Sequence, residues 1–249
     1  MKKFYLISTD HLENSLWFRD VEDFVVGMNM VAVQASLSEV VVLAFILMSN
    51  HVHFVLYGTR KEVEEFIQRY KGRYSQYYCR KWGVKEFLRL NPVDIKELPN
   101  NPEVLEKAIA YVLMNCVAAN ICAHPSQYSW GCGNVFFKTA ASGASGCRKV
   151  KDLSKRALAR LLHSDVDKMP GEWVISDDGY ILPESYVAVD QVERIFVTAN
   201  RMDYFLRSSS KAKKRIEMSE GPLPAFKDQV ILAAIPDSNS EVALLLEEF

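Results

Sequence analysis

Apolar and polar positions alternate weakly from Lys3 to Thr9, which predicts a β-strand. From Val21 to about Ser38 the spacing becomes helical, with Val21, Phe24, Val25, Met28 and Val31 on one side. Val40 to Met48 is an unbroken apolar run rich in β-branched residues, the pattern of a central strand. Ser49-Asn50 then marks a turn, and His51 to Tyr57 alternates again up to Gly58, so a β-hairpin is predicted. Lys61 to about Trp82 reads as a long amphipathic helix with Val63, Phe66, Ile67, Tyr70 and Tyr74 on its inner face. Asn91-Pro92 and Pro99-Asn100-Asn101-Pro102 bracket a stretch expected to be irregular. Asn101-Pro102-Glu103 combines a capping side chain, a proline at the first helical position and an acid in the first turn. The helix it starts is expected to run to about Asn120. Its apolar side is Leu105, Ile109, Val112, Leu113, Cys116 and Val117, while Lys107, Tyr111, Asn115 and Ala118 form a different stripe.

Thr139 to Gly146 is small and polar, and a domain boundary is expected there. Residues 1–140 then form the main domain and 150–249 a small, largely helical accessory region. Short helices are predicted over Ser154–His163, Val189 to about Val197 and Met202–Met218, with a hairpin near Asp177-Asp178-Gly179. The order β-α-β-β-α-α implies an α+β fold layered on an antiparallel sheet.

Composition changes this picture little. Apolar residues make up 49% and charged residues 24%, ordinary values for a globular protein. The longest apolar run is too short to span a bilayer, and the N-terminus lacks a signal-peptide core, so no membrane association is expected. The five cysteines are odd in number and contain no C-x-x-C pair, which speaks against a disulfide framework and for a reducing cytoplasm. The net charge of −1 does not itself suggest a nucleic-acid partner. Its distribution does more: seven bases and one acid lie between Arg69 and Arg89, and a second basic cluster spans Arg201 to Arg215.

Three groups of residues have candidate chemistry. His51 and His53 lie two apart on a predicted strand, so both imidazoles project from one face, as two ligands of one divalent metal would. The same pattern also fits two surface histidines. Tyr111 and Asn115 are one helical turn apart; a tyrosine hydroxyl can act as a nucleophile, and an amide oxygen can meet a metal or hydrogen-bond a phosphate. The plain alternative is a half-buried tyrosine beside a solvated asparagine. On the long helix, Arg69, Lys71, Arg73, Arg80 and Lys81 interleave with aromatics, of which Tyr77 is the candidate base-stacking residue. That reading requires some of these aromatics to be exposed. The alternative is a basic outer face over an aromatic inner one.

The segment Met48-Ser-Asn-His-Val-His-Phe-Val-Leu56 resembles the HUH hairpin of single-tyrosine transposases, the insertion-sequence-200-like group, and above all their REP-associated branch. Tyr111-Val-Leu-Met-Asn-Cys-Val-Ala-Ala-Asn120 is similar to that branch's tyrosine helix, and His124 to Trp130 resembles the segment that follows it. These matches occur in order across about residues 3–137. The resemblance implies a ferredoxin-like or RRM-like antiparallel sheet with helices on one face. It implies His51, His53 and Asn115 as ligands of Mg²⁺ or Mn²⁺ and Tyr111 as the nucleophile. The implied activity is cleavage and strand transfer of single-stranded, hairpin-flanked DNA through a 5′-phosphotyrosine, by a bacterial cytoplasmic enzyme acting as a monomer or homodimer. Cys116 stands where that family usually has proline, and Asn120 stands near its usual glycine. Two other readings remain: an HUH replication initiator or relaxase, and a domesticated hairpin-binding protein that no longer cuts. Met114 and Asn115 stand where the initiators often carry a lysine.

Overall fold

In the computed structural model, residues 1–9, 16–138, 148–164 and 169–220 are described, with side chains as far as residue 209. The expected domain boundary at Thr139–Gly146 lies outside them. Strands β1 (Lys3–Thr9), β2 (Val41–Met48), β3 (His51–Gly58) and β4 (Val93–Leu98) form one sheet in the order β2-β3-β1-β4. Every neighbouring pair is antiparallel. β2 and β3 are the predicted hairpin, while β4 falls inside the stretch expected to be irregular. Its charged residues Asp94, Lys96 and Glu97 hide the strand signal, and pairing with β1 along one edge makes it a strand. Such a charged edge discourages pairing with another chain.

Helices α1 (Val21–Leu37) and α2 (Arg60–Trp82) cover one face. Phe54 of β3 packs against Phe66 and Tyr70 of α2 there. Tyr70, Tyr74, Tyr77 and Tyr78 are all buried on that helix, with Tyr74 stacked on Trp17. Thr59 and Glu62 form a reciprocal cap at its start, and Gly83 ends it in the left-handed region at φ 65°.

The opposite face carries α3 (Pro102–Leu113), which contacts β2 and β3. Helices therefore lie on both faces, which corrects the expectation of helices on one. The reason is visible in β3: Val52, Phe54 and Leu56 are fully buried under α2, and His51, His53 and Val55 are equally covered on the other side. A strand apolar on both faces needs a layer on each.

The expected helix to Asn120 is interrupted. α3 ends at Leu113, and after Met114 a short α4 (Asn115–Ala118) resumes. Beyond it, Tyr128 donates a hydrogen bond to the Leu47 carbonyl and the Leu47 N–H donates to the Trp130 carbonyl, so this segment seals the outer edge of β2.

The C-terminal part wraps the sheet instead of standing apart from it. β5 (Arg148–Lys149), α5 (Lys155–Leu162) and β6 (Val174–Ile175) gather beside α1, where Asn29 bonds the Leu161 and Gly179 carbonyls and the Ile181 N–H. The chain then crosses the β2 edge, with the Ala188 N–H on the Val42 carbonyl. α6 (Val189–Phe196) and α7 (Ala199–Glu220) continue onto the α3 side. Val192, Phe196, Met202 and Phe205 are buried in the same core as the sheet, while Val150, Leu162, Ile175 and Ile181 form a second cluster with Ala32 and Val33 of α1.

Candidate active site

The site begins with the alternation of β3. His51 and His53 leave the strand on the same face, as the period of two requires. Their ring centroids are 4.8 Å apart, nearly perpendicular at 77°. Both residues are buried. The turn before them is tied down: the Trp17 and Phe18 N–H groups both donate to the Ser49 carbonyl. That anchoring fixes Asn50, whose amide oxygen lies 2.8 Å from His51 Nδ1. An amide oxygen only accepts, so Nδ1 carries the proton and Nε2 keeps the lone pair. His53 Nδ1 lies 2.9 Å from the Ser8 hydroxyl, and Ser8 sits opposite His53 in the β1–β3 register. Both imidazoles are thus held through Nδ1, the arrangement in which Nε2 serves as a ligand.

Tyr111 comes to the same place from the helix layer. Its ring meets His53 edge-on at 5.5 Å, and its side chain is half-buried. One turn on, Asn115 is buried at the helix interruption. Its side-chain NH₂ donates to the carbonyls of Tyr111 at 2.9 Å and Val112 at 3.0 Å. Those bonds assign the amide orientation and leave Oδ1 as the atom with ligand chemistry. Among the described residues, no group of three His, Cys, Asp or Glu side chains converges.

The end of α4 has a physical cause at Asn120. Asn120 adopts φ 57°, and the Ile121 N–H closes on the Cys116 carbonyl. Asparagine tolerates this left-handed conformation better than other side chains with a Cβ, so it can end the helix where glycine usually does.

The candidate DNA contacts on α2 are not brought to this site, because α2 lies across the sheet. Arg69 is exposed and paired with Glu65. Lys71 is buried, donating to the Asn91 carbonyl, and burial lowers its pKa. Tyr77 is buried with its hydroxyl on Asp23, which removes it as a stacking platform. Burial also pulls the Lys81 pKa down, but hydrogen bonds to Asp20, Glu22, Tyr77 and Asp23 more than offset this and hold it raised. Lys81 and Tyr77 are thus both bonded to the buried Asp23, away from the histidines. Arg73 and Arg80 border a basin facing α5. Burial raises the phenol pKa values of Tyr77 and Tyr78 on this helix.

Sequence reasoning missed Asn50 and Ser8 as imidazole partners. Asn50 precedes the histidine pair directly, but Ser8 becomes a partner only through strand register. Of the second basic cluster, Arg207 pairs with Asp203, Arg201 with Glu106, and the Lys211–Arg215 side chains lie outside the described residues.

No family model matches the chain, and no curated protein matches it. Among solved structures, the chain is similar to a REP-associated tyrosine transposase bound to a REP hairpin. The identity is 8% and the TM-score 0.40, over 53% of this chain and 77% of that one.

Proposed function

We propose that the chain is a transposase-type enzyme that cuts single-stranded, hairpin-flanked DNA with Tyr111 and joins strands through a 5′-phosphotyrosine. The observation that carries this reading is the convergence of a strand and a helix: two buried imidazoles held through Nδ1, with a tyrosine ring against one of them. Such an arrangement is costly to build for packing alone, because buried polar side chains need partners.

The residues fit a divalent cation. His51 and His53 would hold it through Nε2 and Asn115 through Oδ1. A cation held there would polarise a non-bridging phosphate oxygen. Two imidazoles make the donor set softer than the all-oxygen sites Mg²⁺ favours, so Mn²⁺ is expected to support more activity than Mg²⁺.

The chain's own groups account for the rest. Asn50 and Ser8 hold the imidazoles oriented. The His53 ring fixes the Tyr111 ring edge-on, which restricts the approach of its hydroxyl to a bound phosphate. In the transfer, the Tyr111 oxygen bonds to phosphorus and the bond from phosphorus to the 3′-oxygen breaks. The phenolic proton is released, and the departing 3′-oxygen takes up a proton from solvent. The phosphodiester energy is kept in the tyrosine ester, so a 3′-hydroxyl can reverse the step without ATP.

The test is cleavage of a hairpin-flanked single-stranded oligonucleotide with Mn²⁺, Mg²⁺ and chelator. Tyr111→Phe is expected to keep oligonucleotide binding and to lose the covalent adduct. An adduct that persists in Tyr111→Phe, or no cleavage by the wild type on any hairpin-flanked strand, would overturn the reading.

A further inference from the structure

We propose that the basin between α2 and the C-terminal end of α5 binds a phosphate group, at a site separate from the histidine–tyrosine site and on the other side of the sheet. The basin has a volume of about 590 Å³ and is bordered by Glu22, Arg73, Gln76, Arg80, Lys81 and His163. Arg73 and Arg80 are seven residues apart, two turns of one helix, so their guanidinium groups share a face. Arg73 donates to the Ser164 hydroxyl. Among the described residues, neither guanidinium has a carboxylate partner. Lys81 differs, since Asp20, Glu22 and Asp23 all lie within 3.0 Å of its ammonium. Among the described residues, the acids beside the basin are therefore committed to Lys81, and the two arginines border it without one.

His163 adds a second observation. It caps α5 in the left-handed region at φ 47°, where glycine is the usual residue, and its ring meets Tyr77 edge-on at 5.1 Å. That position sets its imidazole on the border of the basin. Burial lowers the His163 pKa first, Arg80 and Lys81 lower it further, and Glu22 opposes them. An anion among these cations reverses the balance and favours the imidazolium. Two guanidinium forks, an amide and an imidazole match the several oxygens of a phosphate better than a single carboxylate.

A phosphate could come from a nucleic-acid strand or from a small phosphate compound, and two probes separate these. The protein is the full chain carrying Tyr111→Phe, which stops cleavage. In the first arm, NMR follows the His163 ring as pyrophosphate is added. Its pKa is expected to rise by about one unit, equivalent to about tenfold tighter binding by the charged ring. The double variant Arg73→Gln, Arg80→Gln is expected to weaken pyrophosphate at least about tenfold with an unchanged melting temperature. In the second arm, the hairpin-flanked oligonucleotide is titrated over a range of salt. If the strand is the source, the double variant makes the salt slope shallower by about two and pyrophosphate competes with the oligonucleotide. If only pyrophosphate responds, the site stands as one for a small phosphate compound. A His163 pKa that ignores pyrophosphate, with both arms indifferent to the two arginines, overturns the proposal. Because every readout is binding, failure of Tyr111 to cut DNA leaves this test intact.

Discussion

Val197 joins α6 to α7 with φ 66° and ψ −41°, and the Thr198 N–H closes on the Phe196 carbonyl at 2.7 Å. A β-branched side chain is strained in that tight turn, and 72% of Val197 is exposed, so packing does not compensate it. Val197→Gly is expected to stabilise the chain by up to about 1 kcal/mol, net of glycine's entropy, read as a shift in the urea midpoint. The opposite sign is expected at Asn120, where Ala in the left-handed region costs about 1 kcal/mol. Cysteine reactivity is a second test at this scale. A hydrogen bond from Cys116 lowers the Cys122 pKa, whereas burial pushes Cys132 up to about 12. In the native protein a thiol reagent should modify Cys122 well before Cys132, as peptide mapping would show. Equal rates would mean that the Cys132 side of the β2 edge opens readily.

At the scale of elements, the hairpin and the turn before His51 act as one unit. Removing an Nδ1 partner leaves both histidines in place but frees their rings. Asn50→Ala or Ser8→Ala is therefore expected to weaken Mn²⁺ binding by about 10–100-fold with little change in fold. Calorimetry with Mn²⁺ and no DNA reads this directly, and unchanged affinity would rule out the proposed ring orientation. The helix on the other face behaves differently. Its bases divide by partner: Arg73 and Arg80 border the basin without a described carboxylate, while Lys81 at the same border neutralises a fully buried Asp23. Lys81→Ala should lower stability by about 3 kcal/mol, because it takes the ammonium from a buried carboxylate that keeps only the neutral donors Arg19 N–H, Tyr77 and Trp82. Its effect on DNA affinity should be small once the protein is folded. A large affinity loss with unchanged stability would restore Lys81 as a phosphate contact.

For the whole molecule, the tyrosine lies against a histidine of its own chain. Mixing a His51→Ala, His53→Ala double variant with Tyr111→Phe is therefore expected not to restore cleavage. Restoration would mean that α3 is exchanged between copies in the reacting complex. The C-terminal wrap is what holds α3 in place: Arg201 of α7 grips the buried Glu106 of α3 through two hydrogen bonds. Arg201→Ala should lower the melting temperature and reduce cleavage more than oligonucleotide binding, since it loosens the helix that carries Tyr111.

The sequence by itself determined the hairpin, the shared face of His51 and His53, the long α2 and the start of α3. Each rests on local physics: strand alternation, a turn dipeptide, a helical period, a capping asparagine before proline. It did not determine β4, whose charged residues become a strand only when β1 offers its edge. Nor did it show that helices cover both faces, because an apolar strand reads the same with one cover or two. Local pattern also could not separate buried from free bases on α2, so Tyr77 and Lys81 read as DNA contacts until Asp23 was found between them. Only the tertiary structure could bring Ser8 to His53 across 45 residues, and His53 to Tyr111 across the gap from strand to helix. Contacts between distant residues depend on register and layer packing, which no local period encodes.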